Sequence, residues 1–185
     1  MKALGAADLH GLPRFVSQQI YYSLRAGDAE YELIPAAVDQ GLGVLVWSPL
    51  AGGLLSGEYR GGQQRKAGSR QLTVWNEPPV RDQEALYDTV EALVEVGQAH
   101  GVSAAQVALA YLLAKPAVTS PVIGARTTEQ LADNLAAADL VLTEQERDRL
   151  DRVSAPPLLY PYWHQSKTAR DRLSPADLAL LGPHR

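Results

Sequence analysis

A chain of 185 residues is long enough for one domain with a full core, and 46% hydrophobic with 21% charged residues is ordinary for a globular protein. The formal net charge of −4 leaves no basic footprint for nucleic acid or an anionic membrane, and the lack of cysteine excludes disulfides, thiolate nucleophiles and cysteine-bound zinc. The first residues are too acidic and too short in apolar run for a signal peptide, and no stretch reaches the roughly 18 apolar residues of a membrane helix. The expectation is a soluble, cytoplasmic protein with no nucleic-acid or membrane partner.

Leu4 and Leu9 fit a helix over residues 3–10 that ends at Gly11 and Pro13, with no capping residue or first turn ahead of it. Residues 15–20 read as a strand. Asp28 stands where it can cap a helix carrying Leu33, Ala37 and Val38, closed by Gly41 and Gly43. Residues 44–47, Val-Leu-Val-Trp, form an apolar run of the kind found in parallel strands buried on both faces. Residues 48–79 are rich in Gly, Gln and Pro and read as a long loop, whose Arg60, Arg65, Lys66 and Arg70 fit a solvated surface.

Leu86, Val90, Leu93 and Val94 mark an amphipathic helix ending near Gly101. Ser103 with Gln106 forms a capping box for an apolar helix to about Lys115, and after Pro116 a strand ends at Ile123. Thr127 with Gln130 makes a second box, for a helix to about Ala138, and Thr143 with Glu146 a third, for a helix to about Val153. From Ala155 the chain is rich in Pro and aromatics, and Ser174-Pro175 starts one short terminal helix.

Alternating strands and helices indicate parallel βαβ units and an α/β fold. Only three strands are visible, whereas a (β/α)8 barrel has eight and about 250 residues. A partial (β/α)8 TIM barrel is therefore expected. It comprises about three βα units and a C-terminal helix in residues 1–154, followed by a Pro- and aromatic-rich tail in residues 155–185.

Chemistry concentrates in residues 121–134. A strand stops at Gly124, Arg126 follows, and a capped helix begins, so helix N–H groups, a positive dipole end and a forked cation converge on one spot. A phosphorylated ligand suits that site, while an ordinary capped helix with a solvated arginine fits the same residues. Trp47, at the end of a strand, is either plain core or a flat wall at the rim where such barrels bind ligands. The histidines, His10, His100, His164 and His184, lack metal-ligand spacing, and no dinucleotide fingerprint, Walker sequence or nucleophile elbow is present.

Residues 19–22 (Gln-Ile-Tyr-Tyr), 46–54 (Val-Trp-Ser-Pro-Leu-Ala-Gly-Gly-Leu) and 122–134, in that order, resemble the aldo-keto reductase family. The closest likeness is to the branch related to potassium-channel β subunits, and the ending Tyr160-Pro161-Tyr162-Trp163-His164-Gln165 is similar too. The resemblance implies a (β/α)8 barrel that binds NADPH at the C-terminal ends of its strands. This chain corresponds to the second half, beginning inside the helix after the fifth strand. The family's catalytic Asp, Tyr, Lys and His lie in the first half, so no position here is assigned a catalytic role.

By the same resemblance Gln19 bonds the nicotinamide carboxamide and Trp47 stacks on the nicotinamide ring. Ser48, Leu50 and Gly52 line the pyrophosphate around a turn fixed by Pro49, and Arg70 closes over the cofactor from the long loop. Gly124, Arg126, Gln130 and Asn134 occupy the adenosine 2′-phosphate and adenine positions, and Asp133 matches an acidic residue near the adenine amine. Glu58 stands where related sequences often carry a lysine, and a carboxylate there repels phosphates. Trp75 and the tail aromatics point to an apolar substrate, and His164 lies in the segment that caps the pocket in relatives.

The implied function is NADPH-dependent reduction of an aldehyde or ketone by hydride transfer, present as a truncated C-terminal half that is inactive alone. The alternative is a non-catalytic nucleotide- or partner-binding remnant. Exposed strand edges would then be met by self-association or by a separate first-half chain. Met1 falling inside a helix points to a true start upstream.

Overall fold

The computed structural model describes residues 1–61, 79–169 and 171–184. Three strands, β1 (Ser17–Tyr21), β2 (Gly43–Trp47) and β3 (Val118–Val122), form one parallel sheet in chain order. Helix α1 (Lys2–His10) precedes β1, and α2 (Leu33–Gln40) links β1 to β2. Helices α3 (Gln83–His100) and α4 (Ala104–Leu113) link β2 to β3. Then follow α5 (Thr128–Leu135), α6 (Glu144–Ser154), α7 (Tyr162–Thr168) and α8 (Pro175–Leu181). The expected alternation and the three parallel strands are present among the described residues.

Several boundaries differ for identifiable reasons. Asp28 does not cap α2; it lies in a 3-10 turn over Gly27–Glu30, and α2 starts at Leu33 without a side-chain cap. Pro35 sets this limit, because a helix begun at Asp28 would drive the proline ring into the carbonyl of the preceding turn, whereas in the first turn its missing N–H costs nothing. β1 starts at Ser17 rather than residue 15, since Ser17 pairs with Gly43 and Val16 contributes only a carbonyl, 2.9 Å from the Gly43 N. Asp82, which the periodicity did not single out, caps α3 by accepting from the Ala85 N at 2.9 Å. Helix α7, inside the tail, was also not anticipated.

Of the three capping boxes only Thr143/Glu146 closes reciprocally, and Ser174/Asp177 supplies a further one at α8. In the other two the hydroxyl caps as expected, but each glutamine side chain is used elsewhere.

Side chains alternate across a strand, so the sheet has two faces of different fate. Ile20, Val44 and Val46 are buried in the core with Ile34 and Ala37 of α2, Val90 and Leu93 of α3, Val107 and Leu112 of α4, and Leu150 of α6. Each such Ile, Val or Leu side chain contributes about 1.5–3 kcal/mol on burial. The other face is open: Gln19, Trp47, Ser120 and Val122 are exposed. The expectation that residues 44–47 are buried on both faces is thus corrected, with Trp47 41% and Val122 48% exposed. β3 also slips by one residue against β2, leaving Thr119 unpaired. Gly43 makes room for it, since a Cβ there would lie 2.7 Å from Thr119 Oγ1.

A polar network ties the helices together inside the closed side. The Tyr22 hydroxyl donates to buried Glu30 Oε1 at 2.5 Å, and Lys115 Nζ donates to Asp151 Oδ1 at 2.6 Å while standing 4.0 Å from Glu30. Tyr111 donates to the same Asp151 oxygen at 2.5 Å. Burial raises the Glu30 carboxyl above its ordinary range, opposed by Lys115 and the Tyr22 bond, and drives both phenols well above theirs.

The tail returns onto this frame. Tyr162 donates to the Tyr31 carbonyl at 2.5 Å, Tyr31 donates to the Pro157 carbonyl at 2.5 Å, and the two rings stack with centroids 5.5 Å apart. α8 packs on α2, burying Ala179, Leu180 and Leu181.

Candidate functional site

The parallel register places Tyr21, Trp47 and Val122 in one row at the carboxyl end of the sheet. Gln19, Leu45 and Ser120 form the next row down on the same open face. The Trp47 indole leans on the Tyr21 ring, centroids 4.6 Å apart at 34°, and so is held at the strand end with area to spare. Gln19 lies exposed one row below.

The chain leaves β2 through a strained turn. Ser48 and Ala51 have φ of 53° and 50°, joined by Gly52 at 66° and Gly53 at 99°. Left-handed conformations in non-glycine residues persist only where surrounding structure enforces them, and they cluster at ligand sites. Ser48 organises the turn: its carbonyl accepts from the Ala51 N at 2.9 Å and its Oγ from the Gly52 N at 3.2 Å. The Gly52 N–H is therefore spent inside the turn, while the Ser48 hydroxyl proton remains available to a ligand. Pro49 is buried and Leu50 packs partly against the core, so these two shape the turn. Arg70, Trp75, Arg65 and Lys66 lie outside the described residues.

Across the sheet end, β3 opens into Gly124, around which a Cβ would find open space. Arg126 follows on the surface, and its backbone N donates to Gln130 Oε1 at 2.9 Å. Gln130 thus fixes the backbone before α5 rather than returning to the cap residue, and Thr127 Oγ1 accepts from the Gln130 N at 3.2 Å. An acidic group already sits at this helix start. Hydrogen bonds from its own N–H and from the Thr127 hydroxyl hold the Glu129 carboxyl below its usual value. Asn134 is half-buried, and Asp133 accepts from Ser103 Oγ at 2.7 Å and Gln106 Nε2 at 2.8 Å on α4.

A profile of the aldo/keto reductase family matches residues 1–155. The chain belongs to the aldo/keto reductase family. Among curated members it is 38% identical over 145 residues to the uncharacterized oxidoreductase YrpG of Bacillus subtilis, covering 78% of this chain and 42% of that protein. Protein tas of Escherichia coli is 35% identical over 162 residues, covering 88% and 45% respectively. The norsolorinic acid reductase stcV of Emericella nidulans is 36% identical over 141 residues, covering 76% and 34%. The chain spans less than half the length of these relatives, which are oxidoreductases by name where a function is given.

The residues present fit the nicotinamide dinucleotide of the reductase family. An exposed indole stands at a strand end, a hydroxyl-bearing strained turn follows it in the chain, and beyond β3 a surface arginine precedes the amino end of α5. Other chemistries gain nothing. Among the described residues no group of His, Asp and Glu could hold a metal ion, and no helix is long and apolar enough to cross a membrane. His100 is engaged with Glu146 at 2.8 Å, and His164 sits edge-on to Trp163 at 5.8 Å. A cavity of about 550 Å³ between α4, α6 and α8, lined by Lys115, Arg147 and Asp151, lies on the helical side, away from the strand-end row.

Two features escaped the sequence. The left-handed Ser48 and Ala51 have no compositional mark, since neither residue type favours that conformation. The Ser103–Gln106–Asp133 cluster spans 30 positions, so only the folded chain brings it together.

Proposed function

We propose that these residues form the cofactor-binding half of an NADPH-dependent carbonyl reductase, a partial (β/α)8 barrel in residues 1–154 with residues 155–185 as a tail over the substrate side. Trp47 and Gln19 take the nicotinamide end. Ser48, with the turn made by Pro49, Leu50 and Gly52, takes the pyrophosphate, and Arg70 covers it from the long loop. Gly124, Arg126, Gln130 and Asn134 take the adenosine 2′-phosphate and adenine, the group to which Asp133 belongs by position. The bound nicotinamide supplies a hydride for an aldehyde or ketone. The chain's own residues bind and orient: the indole presents one face, the Ser48 hydroxyl donates to an anion, and Arg126 with the α5 amino end favours NADP over NAD.

The observation that carries this reading is the row Tyr21–Trp47–Val122 at the carboxyl end of a parallel sheet, with Arg126 in the loop between β3 and the amino end of α5. Carboxyl ends of such strands are where this architecture binds ligands. In this reading the acid–base groups of the reaction are not among these 185 residues. The reading therefore has them supplied by a segment corresponding to the rest of the relatives, in the same chain or in a partner, in the cytoplasm.

Titrating the chain with NADPH and with NADH by fluorescence tests it. Saturable binding that favours NADPH is expected, with no measurable aldehyde reduction. The reading fails if NADPH does not bind, and the assignment of the chemistry to another segment fails if the chain turns over an aldehyde.

The second reading, a non-catalytic binding remnant that self-associates or docks a first-half chain, is favoured by one observation. Phe15 and Val16 just ahead of β1, and Val122 in β3, leave apolar surface exposed at the two outer strands of the sheet. A sizing column separates the two, because that reading requires a dimer or larger species.

A further inference from the structure

α5 carries Gln130 and Asn134 and begins just after Arg126, residues proposed to meet the 2′-phosphate and adenine, yet it buries none of its own eight residues. Apolar anchoring comes only after its last residue, where Ala137 is buried in the 3-10 turn Ala136–Ala138 that follows. Its link to the frame is polar. Asp133 receives two hydrogen bonds from the start of α4, from Ser103 Oγ at 2.7 Å and Gln106 Nε2 at 2.8 Å. Ser103 also caps α4, accepting from the Gln106 N at 3.0 Å, and Gln106 is buried. One carboxylate therefore joins a well-packed helix, α4, to an exposed one, α5. Gln106 is spent on this link rather than on its own capping box.

We infer that Asp133 is a positioning residue that sets α5, and with it Arg126, Gln130 and the helix amino end, relative to the strand-end row. It acts through its bonds to Ser103 and Gln106. The inference deepens the cofactor reading and rests on it for the ligand. The tether itself can be read without any ligand. Two charge-assisted bonds to one carboxylate are directional and stiff, as a link between two helices requires. Loss of either leaves a half-buried carboxylate short of a donor and lets α5 move.

The test uses Asp133→Asn and Gln106→Met, singly and together. Gln106→Met keeps side-chain length and leaves the Ser103 cap in place. In the absence of ligand, amide hydrogen exchange over residues 127–135 is expected to accelerate about tenfold in each single variant, the cost of one hydrogen bond to a charged group. The double variant should add little to either single, because both cut the same link. Exchange within α3 serves as the internal control and should stay unchanged. With ligand, both single variants should lose a similar share, about fivefold, of the preference for NADPH over NADH.

Wild-type exchange over residues 127–135 in both variants overturns the tether. Wild-type cofactor affinity in Gln106→Met beside a weakened Asp133→Asn would make Asp133 a direct adenine contact instead. Should the unaltered chain show no NADPH preference, the cofactor reading fails, while the exchange measurement still decides the tether.

Discussion

The two faces of one sheet differ in what holds them. Ile20, Val44 and Val46 on the closed face are sealed by α2, α3, α4 and α6, whereas Gln19, Trp47 and Val122 on the open face carry no covering element among the described residues. The same strands therefore serve two ends. One face supplies the stability and the other is left for ligand, so changes on the two faces should separate stability from binding.

The largest effect belongs to the closed face. Leu93→Ala removes a fully buried side chain and should cost about 3 kcal/mol in urea unfolding. A cost below about 1 kcal/mol would show that this side is loosely packed. Trp47→Ala is the counterpart on the open face. It should weaken NADPH binding about tenfold through the lost stacking, with unfolding stability changed by less than about 1 kcal/mol. A stability loss as large as that of Leu93→Ala would make Trp47 core after all.

The sequence made one of these faces legible and misjudged the other. Periodicity, Gly41, the Ser103 cap and the Thr143/Glu146 box located the parallel βαβ units because each is a local signal. The run at residues 44–47 looked buried on both sides because composition reports apolarity, not which neighbours arrive. Asp28 looked like a cap because the decisive clash, that of Pro35, depends on where the helix begins. At the candidate site, the order of motifs placed Trp47, Ser48 and Arg126 near the strand ends, where the structure also puts them. The partners of Asp133 stayed hidden, because Ser103 and Gln106 already had a local explanation as a capping pair.

A smaller effect comes from the closed side's buried acid. Burial makes Glu30 hold its proton more tightly folded than unfolded. Its contribution is complete below the ordinary carboxylate range and is lost as pH rises through the raised folded value. Unfolding free energy should therefore fall across that window in the unaltered chain, and Glu30→Gln, which keeps an acceptor for Tyr22, should flatten the fall. An unchanged slope in Glu30→Gln would show that other groups set it.

The smallest effect is expected on the open side. Glu129 lies at the α5 amino end, where an incoming phosphate would meet its carboxylate. Glu129→Gln should tighten NADPH about two- to threefold and leave NADH unaffected, matching the modest strength of charge at a helix terminus. Tightening of both cofactors alike would place the phosphate elsewhere.

The division of labour between the faces is tested most directly by amide hydrogen exchange with and without saturating NADPH. Protection should rise at the carboxyl ends of β1 and β2, through residues 48–53 and over residues 124–134, with no change in α3, α4 or α6. Protection confined to the helical side, or none at the strand ends, would contradict the account.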